Sequence, residues 1–212
     1  PVYSDKEEAL VVCNDIKRLK KIEDGEYSDF AILYRTNSQS RSFEEELRRQ
    51  NIPYRIYGGL SFYQRKEIKD IIAYFRLAMN TDDEEAFKRI VNYPARGIGD
   101  TTLGKITMAA QNNGVSCWDI LSQPTRFQLD VNKGTWTKLL TFRDLVNGFV
   151  AQLDKLDAYE LGMKIIKESG IQADLYGASD ADSLSRQENL QEFVGGLKEF
   201  VEIRREEGNE DE

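Results

Sequence analysis

At Gly58-Gly59 the chain changes rhythm, and that change limits its architecture more than any other feature. Before it, short apolar runs alternate with amphipathic stretches. Ser4 with Glu7 forms a capping box ahead of the run Ala9–Ile16, which closes in Lys17, Arg18, Lys20 and Lys21. Asp24-Gly25 is a turn, and Phe30–Leu33 is an apolar run of strand length, read as a buried strand. Asn37 or Ser38 caps a helix over 39–50, with Phe43 and Leu47 spaced for one buried face. Asn51-Ile52-Pro53 ends that helix, and Tyr54–Tyr57 reads as a second short strand. Helix, strand, helix, strand is the order of an α/β unit with a parallel sheet.

Beyond Gly59 the pattern is helical. Apolar spacing predicts helices over 62–79, 86–92, 101–112, 118–121, 136–153, 159–169 and 184–205, separated by clusters of Gly, Pro, Ser and Asp. The expected fold class is therefore α/β followed by mostly α, divided near Gly58 into residues 1–57 and 58–212.

Cysteine and histidine usage exclude several chemistries. Cys13 and Cys117 make no disulfide framework, which predicts a reducing, cytoplasmic setting. The absence of His removes His-based triads and His-ligated zinc. No apolar run approaches a membrane span and no signal peptide is visible, so no membrane partner is expected. A non-Met start and the polar ending EIRREEGNEDE suggest a piece of something longer.

Net charge is −8, against the strongly basic balance of a dedicated nucleic-acid binder. The charge is uneven: residues 31–105 hold 13 Lys/Arg and 10 Asp/Glu, a balance of +3, which leaves −11 for the rest. Screening confines a local field to about 8–10 Å, so a phosphate-binding face remains compatible with an acidic total.

Three stretches carry chemistry. In Asp29–Arg41 the first strand delivers Tyr34, Arg35, Thr36 and Asn37 to its carboxyl end, where open α/β sheets hold ligands. A solvated Arg in an ordinary strand–turn–helix fits the same residues. In Arg96–Thr102 two glycines lead into a helix opened by Asp100. Its first N–H groups, Arg96 and the hydroxyl of Thr101 or Thr102 suit a phosphate, though a packing turn would look alike. In Tyr57–Asp70, aromatics alternate with Arg65, Lys66 and Lys69, as in single-strand binding, while Phe62 and Ile68 belong to a core. Gly99–Lys105 also spells G-x4-G-K, but Ile106 stands where a P-loop needs Ser or Thr and no strand precedes it, so it is no ATP site.

The ordered stretches AILYRTNSQSR, NIPYRIYGGLSFYQRKEIKD and NYPARGIGDTT, with SRQENLQEF at Ser185–Phe193, resemble the UvrD/PcrA/Rep-type superfamily 1 DNA helicases over most of the chain. The resemblance implies that residues 1–57 are the first part of the second RecA-like motor domain, a partial parallel-sheet unit with an edge open to self-association. Residues 58–212 would be the inserted helical accessory domain, incomplete here. Arg35 and Asn37 would contact a single strand, with Tyr34 adjacent and Lys69 a further candidate. Gly97, Gly99 and Thr102 match the glycine turn that holds duplex DNA, with Arg96 beside it.

The family's P-loop, magnesium-binding carboxylates and nucleotide-holding Tyr-Arg element have no counterpart in this chain. No residue is therefore assigned to catalysis or metal binding. ATP and magnesium are expected only in the full-length protein, and the fragment alone is expected to be inactive. The implied function is ATP-dependent 3′-to-5′ DNA unwinding in repair or replication, with single-stranded and junction DNA and repair proteins as partners. Two other readings stay open: a regulatory, protein-docking module fitted to the acidic remainder, and a subunit of a helicase–nuclease.

Overall fold

Ser4 Oγ accepts the Glu7 N–H at 3.1 Å and starts the first helix. From there a computed structural model describes residues 4–123 and 125–208. In chain order the helices are α1 (Asp5–Glu23), α2 (Ser40–Arg49), α3 (Lys66–Met79), α4 (Glu84–Ile90), α5 (Asp100–Asn113), α6 (Cys117–Ser122), α7 (Lys133–Val150), α8 (Ala158–Glu168), α9 (Ile171–Leu175) and α10 (Ala181–Glu206). Short 3₁₀ turns occupy Tyr27–Asp29, Asn37–Gln39 and Phe62–Gln64. No strand occurs among the described residues, so the sheet expected of the first part is not formed.

The chain divides into two compact units. The first comprises the described residues up to Ile68 together with Asp180–Glu192; the second comprises Lys69–Ser179 and the chain from Phe193. The divisions fall inside α3 and inside α10.

In the first unit α1 packs on α2 around Cys13, Leu47 and Ile52, with Tyr27, Ile32 and Tyr54 closing over this small core. Phe30–Leu33 and Tyr54–Tyr57 correct the expectation of buried strands. Both lie outside any helix or strand, and their side chains alternate between half-buried and exposed positions. Ile32 and Tyr54 turn in, whereas Leu33 is 93 % exposed and Tyr57 86 %. The two-residue period sets this alternation, but a strand also needs a neighbouring backbone to close its hydrogen bonds, and neither segment has one among the described residues.

Much of the interior of this unit is polar. Glu44, 2 % exposed, accepts the Phe62 N–H at 3.0 Å, the Ser61 hydroxyl, and Arg48 Nη2 at 3.2 Å. Arg41, 5 % exposed, donates from Nε to Glu192 at 2.7 Å and from Nη1 to Glu45 at 3.0 Å. Buried charges persist only when paired in this way.

The second unit has a conventional apolar core. Phe142 on α7 meets Phe87 and Trp118 edge-on, with centroids 6.2 and 6.5 Å away, and Tyr74 meets Phe149 at 6.3 Å. Each such ring stabilises the unit by about 1.5–3 kcal/mol when fully buried. The helices start on side-chain caps: Asp83 for α4, Ser116 for α6, Asn132 for α7 and Asp157 for α8. Gly114, in the left-handed region at φ 63°, ends α5.

Candidate nucleic-acid interface

The loop 34–37 is shaped from within. The Gln39 carboxamide oxygen accepts the N–H of Arg35 at 2.8 Å and of Thr36 at 3.1 Å, and Ser40 Oγ donates to the Asn37 carbonyl at 2.8 Å. The helix thus begins through a 3₁₀ turn, with Thr36 rather than Asn37 or Ser38 at the cap position. Tyr34, Arg35 and Asn37 all reach the surface. The Arg35 side chain makes no hydrogen bond or ion pair among the described residues. The Asn37 amide donates to Ser185 Oγ at 3.5 Å. Three of the expected residues are therefore gathered in one exposed loop of the first unit.

The other five lie in the second unit. Lys69 is exposed on α3 and makes no hydrogen bond or ion pair among the described residues. Of the remaining four, Thr102 lies in the first turn of α5, and Arg96, Gly97 and Gly99 lie in the turn before that helix. Asn92 Oδ1 builds that turn by accepting the N–H groups of Arg96 at 2.9 Å and of Ile98 at 3.0 Å. Gly97 sits at φ +73°, a conformation that L side chains rarely adopt. Gly99 caps α5 at φ −82° with open space where a Cβ would stand. Nothing among the described residues demands glycine at position 99. Thr102 is half-buried, and no side chain caps the first N–H groups of α5. Those groups and the helix dipole suit an anion, while the Asp100 carboxylate in the same turn opposes one.

Arg96 departs from the phosphate-donor role expected of it. Its guanidinium turns inward, 5.2 Å from the Phe142 centroid and 5.8 Å from that of Tyr74. Nη1 donates to the carbonyls of Ile90 at 3.0 Å and Tyr93 at 2.8 Å; Nη2 donates to Tyr74 Oη at 2.6 Å and to the Ser169 carbonyl at 3.0 Å. Five N–H donors in a planar fork let one Arg gather scattered carbonyls, which a Lys cannot do. Burial pushes the Tyr74 hydroxyl up to about 12, against the opposing pull of Arg96.

A cation that sequence reading passed over stands at the turn instead. Lys138, on the exposed side of α7, donates to the Gly97 carbonyl at 3.4 Å, and its Nζ lies 2.5 Å from where a Gly97 Cβ would be. A surface lysine on a distant helix carries no sequence signal. Only the fold brings it to the glycine.

Among the described residues no group of three or more Cys, Asp or Glu is placed to hold a metal, and no helix is long and apolar enough to cross a membrane.

The family model for the UvrD-like helicase C-terminal domain matches residues 2–212. The chain is 39 % identical over 197 residues to an ATP-dependent DNA helicase PcrA of Leuconostoc citreum, covering 93 % of this chain and 26 % of that protein. It is 34 % identical over 199 residues to the protein of the same name from Staphylococcus aureus, covering 94 % and 27 %. The Staphylococcus epidermidis protein of that name is 35 % identical over 199 residues, with the same coverage. The chain thus spans about a quarter of the length of these relatives.

Proposed function

Because the chain belongs to the UvrD-like helicase C-terminal domain family, we propose that it is the DNA-contacting portion of an ATP-dependent 3′-to-5′ DNA helicase. In this reading the loop 34–37 meets the single strand and the turn 97–102 meets the duplex. The observation that carries it is the exposed Arg35 guanidinium, unpaired among the described residues, on a loop whose backbone is already fixed by Gln39. A fixed backbone leaves only the Arg35 side chain to be ordered when it meets a phosphodiester, and Tyr34 offers a ring for a base. At the turn, uncapped N–H groups, Gly99 with open space above it, and Lys138 suit the backbone of a passing duplex. Residues 1–57 would belong to the second RecA-like domain and 58–212 to its helical insertion. ATP and magnesium would be held by the rest of the protein, and repair or replication is the setting.

The test is binding of this chain to a labelled duplex with a 3′ single-stranded tail across a salt series. Binding that falls with salt and weakens in Arg35→Ala and Gly99→Ala is expected. No binding at low salt would overturn the reading and favour a protein-docking role for the acidic surface.

A further inference from the structure

The element SRQENLQEF lies on α10, and three of its side chains share one helix face at spacings of four and three. Each meets a different stretch of the first unit. Ser185 Oγ accepts the Asn37 amide at 3.5 Å, Asn189 Nδ2 donates to Glu67 Oε1 at 2.7 Å, and Glu192 Oε1 accepts Arg41 Nε at 2.7 Å. Two of these contacts are shielded: Arg41 and Glu67 are buried and Asn189 is 1 % exposed. Only the Ser185 contact lies at the surface.

We infer that this face of α10 is a positioning strut for the strand-contact loop, with Ser185 the residue that orients Asn37. The inference rests on the reading that Asn37 meets a single strand. Glu192 and Asn189 fix the register of the helix. Asn189 Oδ1 has no partner among the described residues, so the amide is a poorer filler than leucine, yet it lets α10 dock only where Glu67 meets Nδ2. With the register fixed, Ser185 takes one amide proton of Asn37 at the long end of the hydrogen-bond range. The second amide proton and Oδ1 stay available to a nucleotide. Ser185 steers the carboxamide without consuming it.

The test combines an amide spectrum with a binding cycle, both on this chain. In isotope-labelled protein, Ser185→Ala should shift the side-chain amide resonances of Asn37 while Ser185→Thr, which keeps the hydroxyl, leaves them near the parent positions. Binding of a fluorescent oligothymidylate should weaken roughly three- to tenfold in Ser185→Ala, the range of one hydrogen bond, and recover in Ser185→Thr. In an Asn37→Ala background the Ser185→Ala effect should vanish. If Asn37→Ala weakens binding but Ser185→Ala does not, or weakens it equally without Asn37, the strut is overturned and the strand-contact reading stands. If Asn37→Ala leaves binding unchanged, that reading fails and takes the strut with it. Ser185 is half-buried and Asn37 exposed, so these variants should fold; Glu192→Gln, which weakens the register contact, should show a smaller change in the same direction.

Discussion

Arg41 and Glu192 stand 151 residues apart in the chain, yet guanidinium Nε and carboxylate Oε1 meet at 2.7 Å. A second pair of bonds, from Arg41 Nη1 to both oxygens of Glu45, completes the fork. Arg41→Ala removes the cation shared by Glu45, 42 % exposed, and Glu192, 21 % exposed, and should lower the stability of the first unit by about 1–3 kcal/mol. Arg41→Lys should recover little of it, because a point charge cannot span both carboxylates. Urea unfolding followed by an amide resonance in α1 checks this. A loss under about 1 kcal/mol would place the pair among inconsequential surface bridges.

Arg96 offers a sharper separation of structure from binding. Arg96→Lys keeps the charge but loses most of the four bonds to Ile90, Tyr93, Tyr74 and Ser169. Hydrogen bonds from a charged donor contribute about 1.5–3 kcal/mol each, so the midpoint of thermal unfolding should drop by several degrees. The salt dependence of duplex binding, read on folded protein, should stay as it was. A reduced salt slope in Arg96→Lys would restore Arg96 as a phosphate contact.

The two glycines of the turn should respond differently. Gly97→Ala forces a side chain into the left-handed region and against Lys138, costing about 1–2 kcal/mol. Gly99→Ala meets nothing and should cost less than about 1 kcal/mol, at the level of a cap preference. A large loss of duplex binding in Gly99→Ala would then come from contact rather than unfolding. Lys138→Ala should reduce the slope of log K against log salt by about 1, and Asp100→Asn should strengthen binding by relieving repulsion in the first turn. Unchanged binding in both would move the duplex away from this turn.

Alkaline pH should weaken the second unit. Burial raises the Tyr74 hydroxyl to about 12, and burial with the Glu84 carboxylate raises the Cys117 thiol to about 11. Both groups favour their neutral form in the folded state. Their contribution is intact below the unfolded values, near pH 9 for the thiol and pH 10 for the phenol, and is lost as pH rises towards 11 and 12. Denaturation midpoints measured from pH 7 to 12 should be level to about pH 9 and then fall. Cys117→Ala should flatten the first part of the fall. An identical decline in that variant would mean that the thiol does not titrate there.

The helices were the legible part of this fold, for physical reasons. The Ser4–Glu7 capping box announces itself within three residues, and apolar period marks a buried face locally. Five-residue α9 escaped because so short a segment shows no period. The two expected strands were legible as segments outside the helices but not as unpaired, since pairing depends on distant backbone. The loop at Tyr34, Arg35 and Asn37 could be located from its motif, whereas Gln39 as the residue that shapes it could not. The inward turn of Arg96 depends on Tyr74, Phe142 and Ser169 converging from three helices or their ends, and Lys138 on α7 crossing the turn. No local pattern records either.

The bonds that shape the loop 34–37 join residues three or four positions apart, whereas the Ser185 contact joins residues 148 apart. Closing a short loop is entropically cheap and fast; bringing distant segments together is slower. During folding, therefore, the loop can take its shape as soon as α2 forms, and the Ser185 contact arrives only after α10 has been made and docked. A chain growing from a ribosome would present a shaped but unsteered Asn37 for the whole time needed to synthesise the helices between.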